Sequence, residues 1–217
     1  MKYDLVIFDL DGTLLDTLGD LAAAANMALA EFGFPSRDVE YVRRFIGGGV
    51  GRLIRLAVPE GTDAGITQAC IDRFRVLYAE NLNVRTAPFA DIPELLSQLR
   101  GRGLHVAVNS NKLDSASNAL CLAHFGDAIE LTLGERAEIP RKPAPDGARF
   151  IMRHFGVEPA RTLYVGDGDT DIQTAANAGI DGVWVTWGYR RREELAGLTL
   201  PHTFETVEAL RDFILSD

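Results

Sequence analysis

Apolar positions along this chain fall in two periods. Short apolar runs such as LVIF at 5–8, VAV at 106–108 and LYV at 163–165 alternate with longer stretches whose apolar residues recur every three or four positions. The first kind predicts strands buried on both faces, and the second predicts amphipathic helices. Strands are expected at 5–8, 105–109, 129–133, 162–165 and 182–186. Helices are expected near 92–102, 115–124, 145–155, 171–178 and 206–215. Buried strands separated by helices imply an α/β fold, a Rossmann-like parallel sheet with helices on both faces. Ligands on such sheets bind beyond the carboxyl ends of the strands.

Between the first strand and Thr86 the alternation stops. LGDLAAAANMALAEF, DVEYVRRFI, GRLIRLAV and ITQACIDRFRVLYAEN all read as helical, with no strand pattern between them. A crossover this long predicts an inserted α-helical cap domain at 16–85, leaving 1–15 and 86–217 to build the α/β core. The apolar stretch LAAAANMALA at 21–30 is shorter than the ~20 residues a bilayer span needs, so no membrane association is expected.

Composition narrows the partners. The chain has 217 residues, 47% hydrophobic and 24% charged, with a net charge of −9. Nucleic-acid binders carry a basic footprint, which this balance excludes. Two cysteines, Cys70 and Cys121, lie far apart in helical patterns, so neither a disulfide framework nor a thiolate metal site is expected. The chain enters its first strand directly after MKYD, without a signal-peptide pattern. A cytoplasmic protein is the expectation, as monomer or homodimer.

The chemistry-bearing residues collect at strand ends. Asp9, Asp11, Gly12 and Thr13 follow the first strand. Ser110, Asn111 and Lys112 follow the second, Lys142 lies in the loop RKPAPD, and Asp167, Asp169 and Asp171 lie in GDGDTD. Carboxylates sharing one cleft repel unless a cation sits among them. Hard oxygen ligands suit Mg²⁺, which takes one or two carboxylates with phosphate and water. A carboxylate can also attack phosphorus to form an aspartyl-phosphate, while a metal and a lysine neutralise the transferring group. A second aspartate two residues on along an extended segment points the same way. It can protonate a leaving alcohol and then activate water. Gly12 would let the backbone turn closely past the phosphate.

These residues carry a resemblance. DLDGTL, the serine of VNSNK, the lysine of RKPAPD and GDGDTD resemble, in order, the four motifs of the haloacid dehalogenase-superfamily phosphatases. A helical insertion after the first motif resembles the subgroup with a helical cap. IGGGVGRLI, VGDGDTDIQTAANAGI and VTWGYRRREEL are further similar to stretches of the phosphoglycolate phosphatases. That group usually has threonine where this chain has Ser110, and an apolar residue where it has Asn109. The resemblance implies Asp9 as nucleophile and metal ligand. It implies Asp11 as general acid and base, with its carbonyl on the metal. Ser110 and Asn111 would hold the phosphate with Gly12 and Thr13, and Lys142 would pair with the nucleophile. Asp167 would ligate Mg²⁺, and Asp171 would do so directly or through water, with Asp169 as a supporting residue. A dehalogenase needs no acid at the position of Asp11, so phosphoryl chemistry is favoured.

The expected activity is Mg²⁺-dependent hydrolysis of a small phosphorylated metabolite, with 2-phosphoglycolate foremost. Other phosphomonoesters, pyrophosphate hydrolysis and sugar-phosphate mutation stay open, as does a phospho-accepting signalling domain. The glycine run IGGGVGRLIRL opens a helix whose free N–H groups attract anions. Gly48 and Arg52 are therefore expected to read the substrate. Lys112 could face cleft or solvent. Trp184 and Trp187 are expected to pack the last strand and loop, the four histidines to be structural, and YRRREE at 189–194 to be a solvated charge run.

Overall fold

A computed structural model describes residues 1–199 and 202–216. In chain order it shows β1 (Leu5–Phe8), β2 (Leu15–Asp16), α1 (Leu18–Glu31), α2 (Val39–Phe45), α3 (Val50–Ala57), α4 (Ala64–Glu80), β3 (Ala87–Pro88), α5 (Ile92–Gly101) and β4 (His105–Leu113). There follow α6 (Asp114–Phe125), β5 (Leu131–Glu135), α7 (Asp146–Phe155), β6 (Thr162–Gly166), α8 (Asp169–Ala178), β7 (Asp181–Val185), β8 (His202–Phe204) and α9 (Val207–Leu215). Six strands form one sheet in the order β5-β4-β1-β6-β7-β8, every neighbouring pair parallel. Helices cover both faces, as the unbroken apolar strands require.

β1 lies between β4 and β6, Leu5 pairing with His105 and Thr162 and Phe8 with Val108 and Val165. All four of its side chains are buried, which is why the sequence there shows no polar alternation. From β1 the chain builds outward through β4 and β5, then crosses back to β6. The carboxyl end of β1 is therefore the point where strand order reverses, the expected ligand crevice of such sheets.

Element boundaries differ from expectation in instructive places. β4 runs on to Leu113, taking in Ser110, Asn111 and Lys112, with a register irregularity against β5 between Asn109 and Leu113. β5 starts two residues later than expected, where Leu131 pairs with Ala107. β8 has no apolar run to announce it. It is a three-residue edge strand held by pairing with β7. β2 and β3 are an antiparallel pair of two residues each, too short to leave a periodic signal.

Helices α1 to α4 form the inserted cap, with an apolar cluster of their own that includes Leu29, Ile54, Phe74 and Tyr78. Ala24, Ala25 and Ala28 are buried on α1, and small side chains there let α4 pack closely. The side chains of Asp38 and Asp63 cap α2 and α4 by accepting from backbone N–H groups of the first turn. Where the chain leaves and re-enters the core, β2 and β3 run side by side. Asp20 sits beside that crossing, buried. Its carboxylate accepts from the N–H groups of Val84, Arg85 and Thr86 and from the Thr86 hydroxyl, at 2.8–3.0 Å. No helix among the described residues is long and apolar enough to cross a membrane.

Asp20→Ala should lower stability by about 2–3 kcal/mol, because it strands several donors that now serve one charged acceptor. Burial alone would raise the Asp20 pKa, but the N–H groups of Arg85 and Thr86 and the Thr86 hydroxyl hold it below the ordinary value. A depressed folded pKa adds stability above the unfolded pKa of ~3.9 and loses it as pH falls through the folded value. Thermal unfolding of both proteins at neutral pH and near pH 3 checks this. The gap between them should narrow in acid, and a pH-independent gap would rule out the charged acceptor as its source.

Candidate active site

Asp9 leaves β1 with its backbone N–H still bonded to the Val165 carbonyl at 2.9 Å, so the nucleophile candidate is fixed to two strands at once. Its Oδ1 accepts from the Leu10 N–H at 2.7 Å and lies 2.8 Å from Lys142 Nζ. The same ammonium is 2.6 Å from Asp171 Oδ1. One carboxylate oxygen from each of Asp9, Asp167 and Asp171 lies within 4.8 Å of the others, and all three residues are buried. Asp171 also caps α8, its Oδ2 accepting from the Gly168 N–H at 3.0 Å. Asp171 thus both joins the carboxylate cluster and satisfies a donor at the start of α8.

Electrostatics give the cluster its character. Burial, then the charge of Asp171, pushes the Asp9 pKa up to about 8 despite Lys142. Burial and Asp171 likewise push Asp167 up to about 7, against the Tyr189 N–H that favours its charged form. Burial works against the Lys142 charge, but Asp171 and Asp9 outweigh it and hold that pKa well above the usual lysine value. Three buried carboxylates and one ammonium leave an uncompensated negative charge, which is costly in a low-dielectric site. A divalent cation with oxygen ligands balances it, so the donor set fits a metal ion of the Mg²⁺ type.

Gly12 and Thr13 serve the cluster in a different way from that expected. The Gly12 N–H bonds the Leu15 carbonyl at 2.9 Å and the Thr13 N–H bonds the Leu10 carbonyl at 3.3 Å. Both donors are therefore committed within the turn instead of facing a phosphate. Gly12 has φ +86°, and a Cβ there would come within 2.5 Å of Asp167 Oδ2. Only glycine lets the turn pass so close to that carboxylate. Thr13 Oγ1 donates to Asp167 Oδ1 at 3.3 Å. The indole N–H groups hold the same loops, Trp184 on the Asp167 carbonyl and Trp187 on the Thr13 carbonyl.

Asp11 lines the cleft beside the carboxylate cluster, with its side chain bonded elsewhere. Lys112 Nζ donates to its two oxygens at 2.8 and 2.9 Å, and the Thr17 hydroxyl donates to Oδ1 at 2.7 Å. Lys112 thus faces the cleft, buried. Ser110 Oγ accepts from the Lys112 N–H at 3.3 Å. The Asn111 amide joins three segments: Nδ2 donates to the carbonyls of Gly47 and Lys142, and Oδ1 accepts from the Lys142 N–H. It fixes the Lys142 loop and the glycine loop of the cap to the end of β4.

A cavity of about 540 Å³, measured out to its open mouth, starts at Asp9, Asp11 and Ser110 and runs beneath the cap. Gly47 and Gly49 are on its wall. Arg52 is not brought into it. That side chain is exposed and lies against Gly48, its guanidinium 5.9 Å from the Phe45 ring centroid. An exposed arginine gains more from lying on an aromatic face in water than from entering an apolar cavity.

The segment 189–194 is not a solvated charge run at its start. Tyr189 is buried. Its N–H donates to Asp167 Oδ2 at 2.6 Å, and its hydroxyl accepts from the Thr17 N–H at 2.6 Å. Arg190 bonds Asp169 on the core side, and on the cap side the carbonyls of Arg43 and Ile46. Glu194 takes two bonds from the buried Arg43 of α2, which also donates to the Tyr189 carbonyl. Arg191, Arg192, Glu193 and Glu194 are exposed, Glu194 while bonded to Arg43. Sequence reasoning missed this core–cap seam because each member is an ordinary charged residue until its partner, about 150 positions away, is known. The one local signal was the aromatic Tyr189 directly before the arginines.

With this geometry in view, the comparisons are specific. A sequence model of the haloacid dehalogenase-like hydrolases matches residues 6–185. The phosphoglycolate phosphatase of Aquifex aeolicus (strain VF5) is 30% identical over 213 residues, covering 97% of this chain and 98% of the relative. That of Thiobacillus denitrificans is 35% identical over 201 residues, covering 90% and 88%. The crystal structure of a proposed phosphoglycolate phosphatase from Lactobacillus delbrueckii subsp. bulgaricus superposes with a TM-score of 0.94 at 33% identity, covering 100% of both chains. A parallel sheet with a helical cap, the four motifs gathered at its switch point and similarity over nearly the whole length agree: the chain belongs to the haloacid dehalogenase-like hydrolases and is a phosphatase of the phosphoglycolate phosphatase-like kind.

Proposed function

We propose that this enzyme hydrolyses a small phosphomonoester through a phosphorylated Asp9, that Mg²⁺ is its metal, and that 2-phosphoglycolate is its substrate. The observation that carries the reading is the buried set of Asp9, Asp167, Asp171 and Lys142, whose Asp9 opens onto the cavity beneath the cap. The similarity to relatives named as phosphoglycolate phosphatases supports the choice of substrate. Asp9, Asp167 and Asp171 would hold the Mg²⁺, which supplies charge neutralisation at the transferring phosphoryl group.

The chain's own residues do the rest. A carboxylate oxygen of Asp9 attacks phosphorus and the bond to the ester oxygen breaks. Asp11, held at the cavity wall by Lys112 and Thr17, acts in this step in its protonated form, with one oxygen released from Lys112, and gives that proton to the departing oxygen. It then takes a proton from the water that attacks the phosphorylated Asp9, and the aspartate is released. Lys142 offsets negative charge throughout, and the Ser110 hydroxyl donates to a phosphoryl oxygen. We assign 16–85 to the cap, with the β2–β3 crossing as its hinge. Cap closure over the site keeps bulk water away from phosphorus while Asp9 attacks it.

The test is turnover of 2-phosphoglycolate and p-nitrophenyl phosphate with Mg²⁺, after EDTA, and after Mg²⁺ is restored. Both should be hydrolysed with Mg²⁺, and 2-phosphoglycolate with the higher kcat/KM. Chelation should remove activity and Mg²⁺ should return it. Full turnover in excess EDTA would refute the metal, and a lack of preference for 2-phosphoglycolate would refute the substrate.

A further inference from the structure

Among the described residues, the cap contributes one polar side chain to the cavity wall, that of Tyr78 on α4. The rest of the cap's wall is glycine backbone and apolar side chains such as Leu21, Val50 and Leu53. Tyr78 is 2% exposed. Its ring stacks on Phe74 at 5.6 Å and 11°, which holds it in place. Lys112 Nζ lies 4.8 Å from the ring centroid and donates to both oxygens of Asp11. The Tyr78 hydroxyl is buried, and no acceptor in the protein takes its proton; the polar group beside it, the Lys112 ammonium, can only donate to its oxygen. Buried donors nearly always have an acceptor, and leaving that bond unmade is unfavourable. A phenylalanine would pack the same space without that penalty, so packing does not account for the hydroxyl.

We propose that Tyr78 is the cap's specificity-determining residue, its hydroxyl donating a hydrogen bond to an oxygen carried by the leaving group of the substrate. The inference rests on the phosphomonoesterase reading above and names which side chain selects the substrate. The phosphoryl group belongs at the Asp9 and Ser110 end of the cavity, and Tyr78 stands on the wall that the leaving group meets. The fitting substrate class is therefore a phosphate ester of a short alcohol bearing a carboxylate or hydroxyl oxygen. Apolar walls strengthen a hydrogen bond made there by excluding competing water. They also penalise any leaving group whose oxygen fails to meet the Tyr78 hydroxyl, because that oxygen is then buried unpaired. The exposed Arg52 is not needed for this selection.

The experiment is Tyr78→Phe, which keeps the ring and its stacking. Three esters are compared: 2-phosphoglycolate, 2-hydroxyethyl phosphate, and ethyl phosphate, which lacks the further oxygen. In the wild type, at least one oxygen-bearing ester should exceed ethyl phosphate in kcat/KM, and which one it is identifies the oxygen as carboxylate or hydroxyl. In Tyr78→Phe the kcat/KM of that ester should fall about 10-fold or more, the scale of one hydrogen bond to a charged or buried oxygen, while ethyl phosphate stays within about twofold. Competitive inhibition by the matching product alcohol should weaken in parallel, and the melting temperature should hold or rise. If all esters fall alike, Tyr78 acts through packing and the proposal is overturned. It is overturned too if the preference survives in the variant, or if the wild type has none. A wild type that hydrolyses no ester marks failure of the underlying function instead.

Discussion

Asp9→Asn is expected to reduce turnover by at least about 10⁴-fold, the scale seen when a nucleophile is removed from an otherwise intact site. An amide cannot form the acyl-phosphate, and the neighbouring Asp167 and Asp171, at the junction of β6 and α8, are fixed by their own contacts and cannot take its place. The fold should be unaffected. Burial and Asp171 already push Asp9 up to about 8, so its charge is unfavourable in the metal-free protein. Replacing it with an isosteric neutral group relieves repulsion. Without added metal, the melting temperature of the variant should equal or exceed that of the wild type. Stabilisation by Mg²⁺ should shrink, because one of three carboxylates is gone and ligand stabilisation scales with affinity. Turnover and thermal unfolding with and without Mg²⁺ test both halves. Residual activity above a few per cent of wild type would move the nucleophile elsewhere.

The second large effect is expected at Lys142. Lys142→Met keeps most of the buried volume and deletes a charge held 2.8 Å from Asp9 and 2.6 Å from Asp171. The loss in kcat should be about 10²–10³-fold, typical for one preorganised electrostatic group at a developing negative charge. The pH dependence gives a signature with a definite sign. Lys142 is among the groups that lower the Asp9 pKa. Removing it lets Asp9 keep its proton to higher pH, so less of the nucleophile is ionised at a given pH. The acidic limb of the kcat/KM profile should move to higher pH at limiting Mg²⁺, and saturating Mg²⁺ should move it back. A uniformly lower profile with an unmoved acidic limb would show that Lys142 only positions the loop.

The carboxylate cluster was largely legible before any fold was known. Each of its members follows a buried strand in a parallel α/β pattern, and that pattern places strand ends together. Asp9, Asp167, Asp171 and Lys142 converge because the sheet order puts β1 beside β6 and brings the loop before α7 across their ends. The expected phosphate role of Gly12 and Thr13 was legible only as a tight turn. That their N–H groups close the turn on Leu15 and Leu10, and that Thr13 faces Asp167, depends on hydrogen bonds invisible in a residue list. Arg52 was chosen by charge and nearness to the glycine run. One turn of α3 carries it to the outer face.

By itself, the sequence determined the alternation of buried strands and helices, the presence of a helical insertion, and the spacing of Asp9 and Asp11. These follow from local periodicity and backbone geometry, which act over a few residues. Only the tertiary structure decided what each side chain meets. Lys112 could have faced solvent until β4 proved to run on past Asn109 and delivered it to Asp11. Tyr189, Arg190 and Glu194 join core to cap because the segment that follows β7 runs beside Arg43 of α2, a contact between positions about 150 residues apart. Tyr78 sits in an ordinary helical pattern of the sequence, and only the packing of α4 against the end of β4 leaves its hydroxyl proton without an acceptor in the protein. Hydrophobic periodicity tells which face of a helix is buried. The partner across that face, and so the hydrogen bond made or left for a ligand, is set by how whole elements pack.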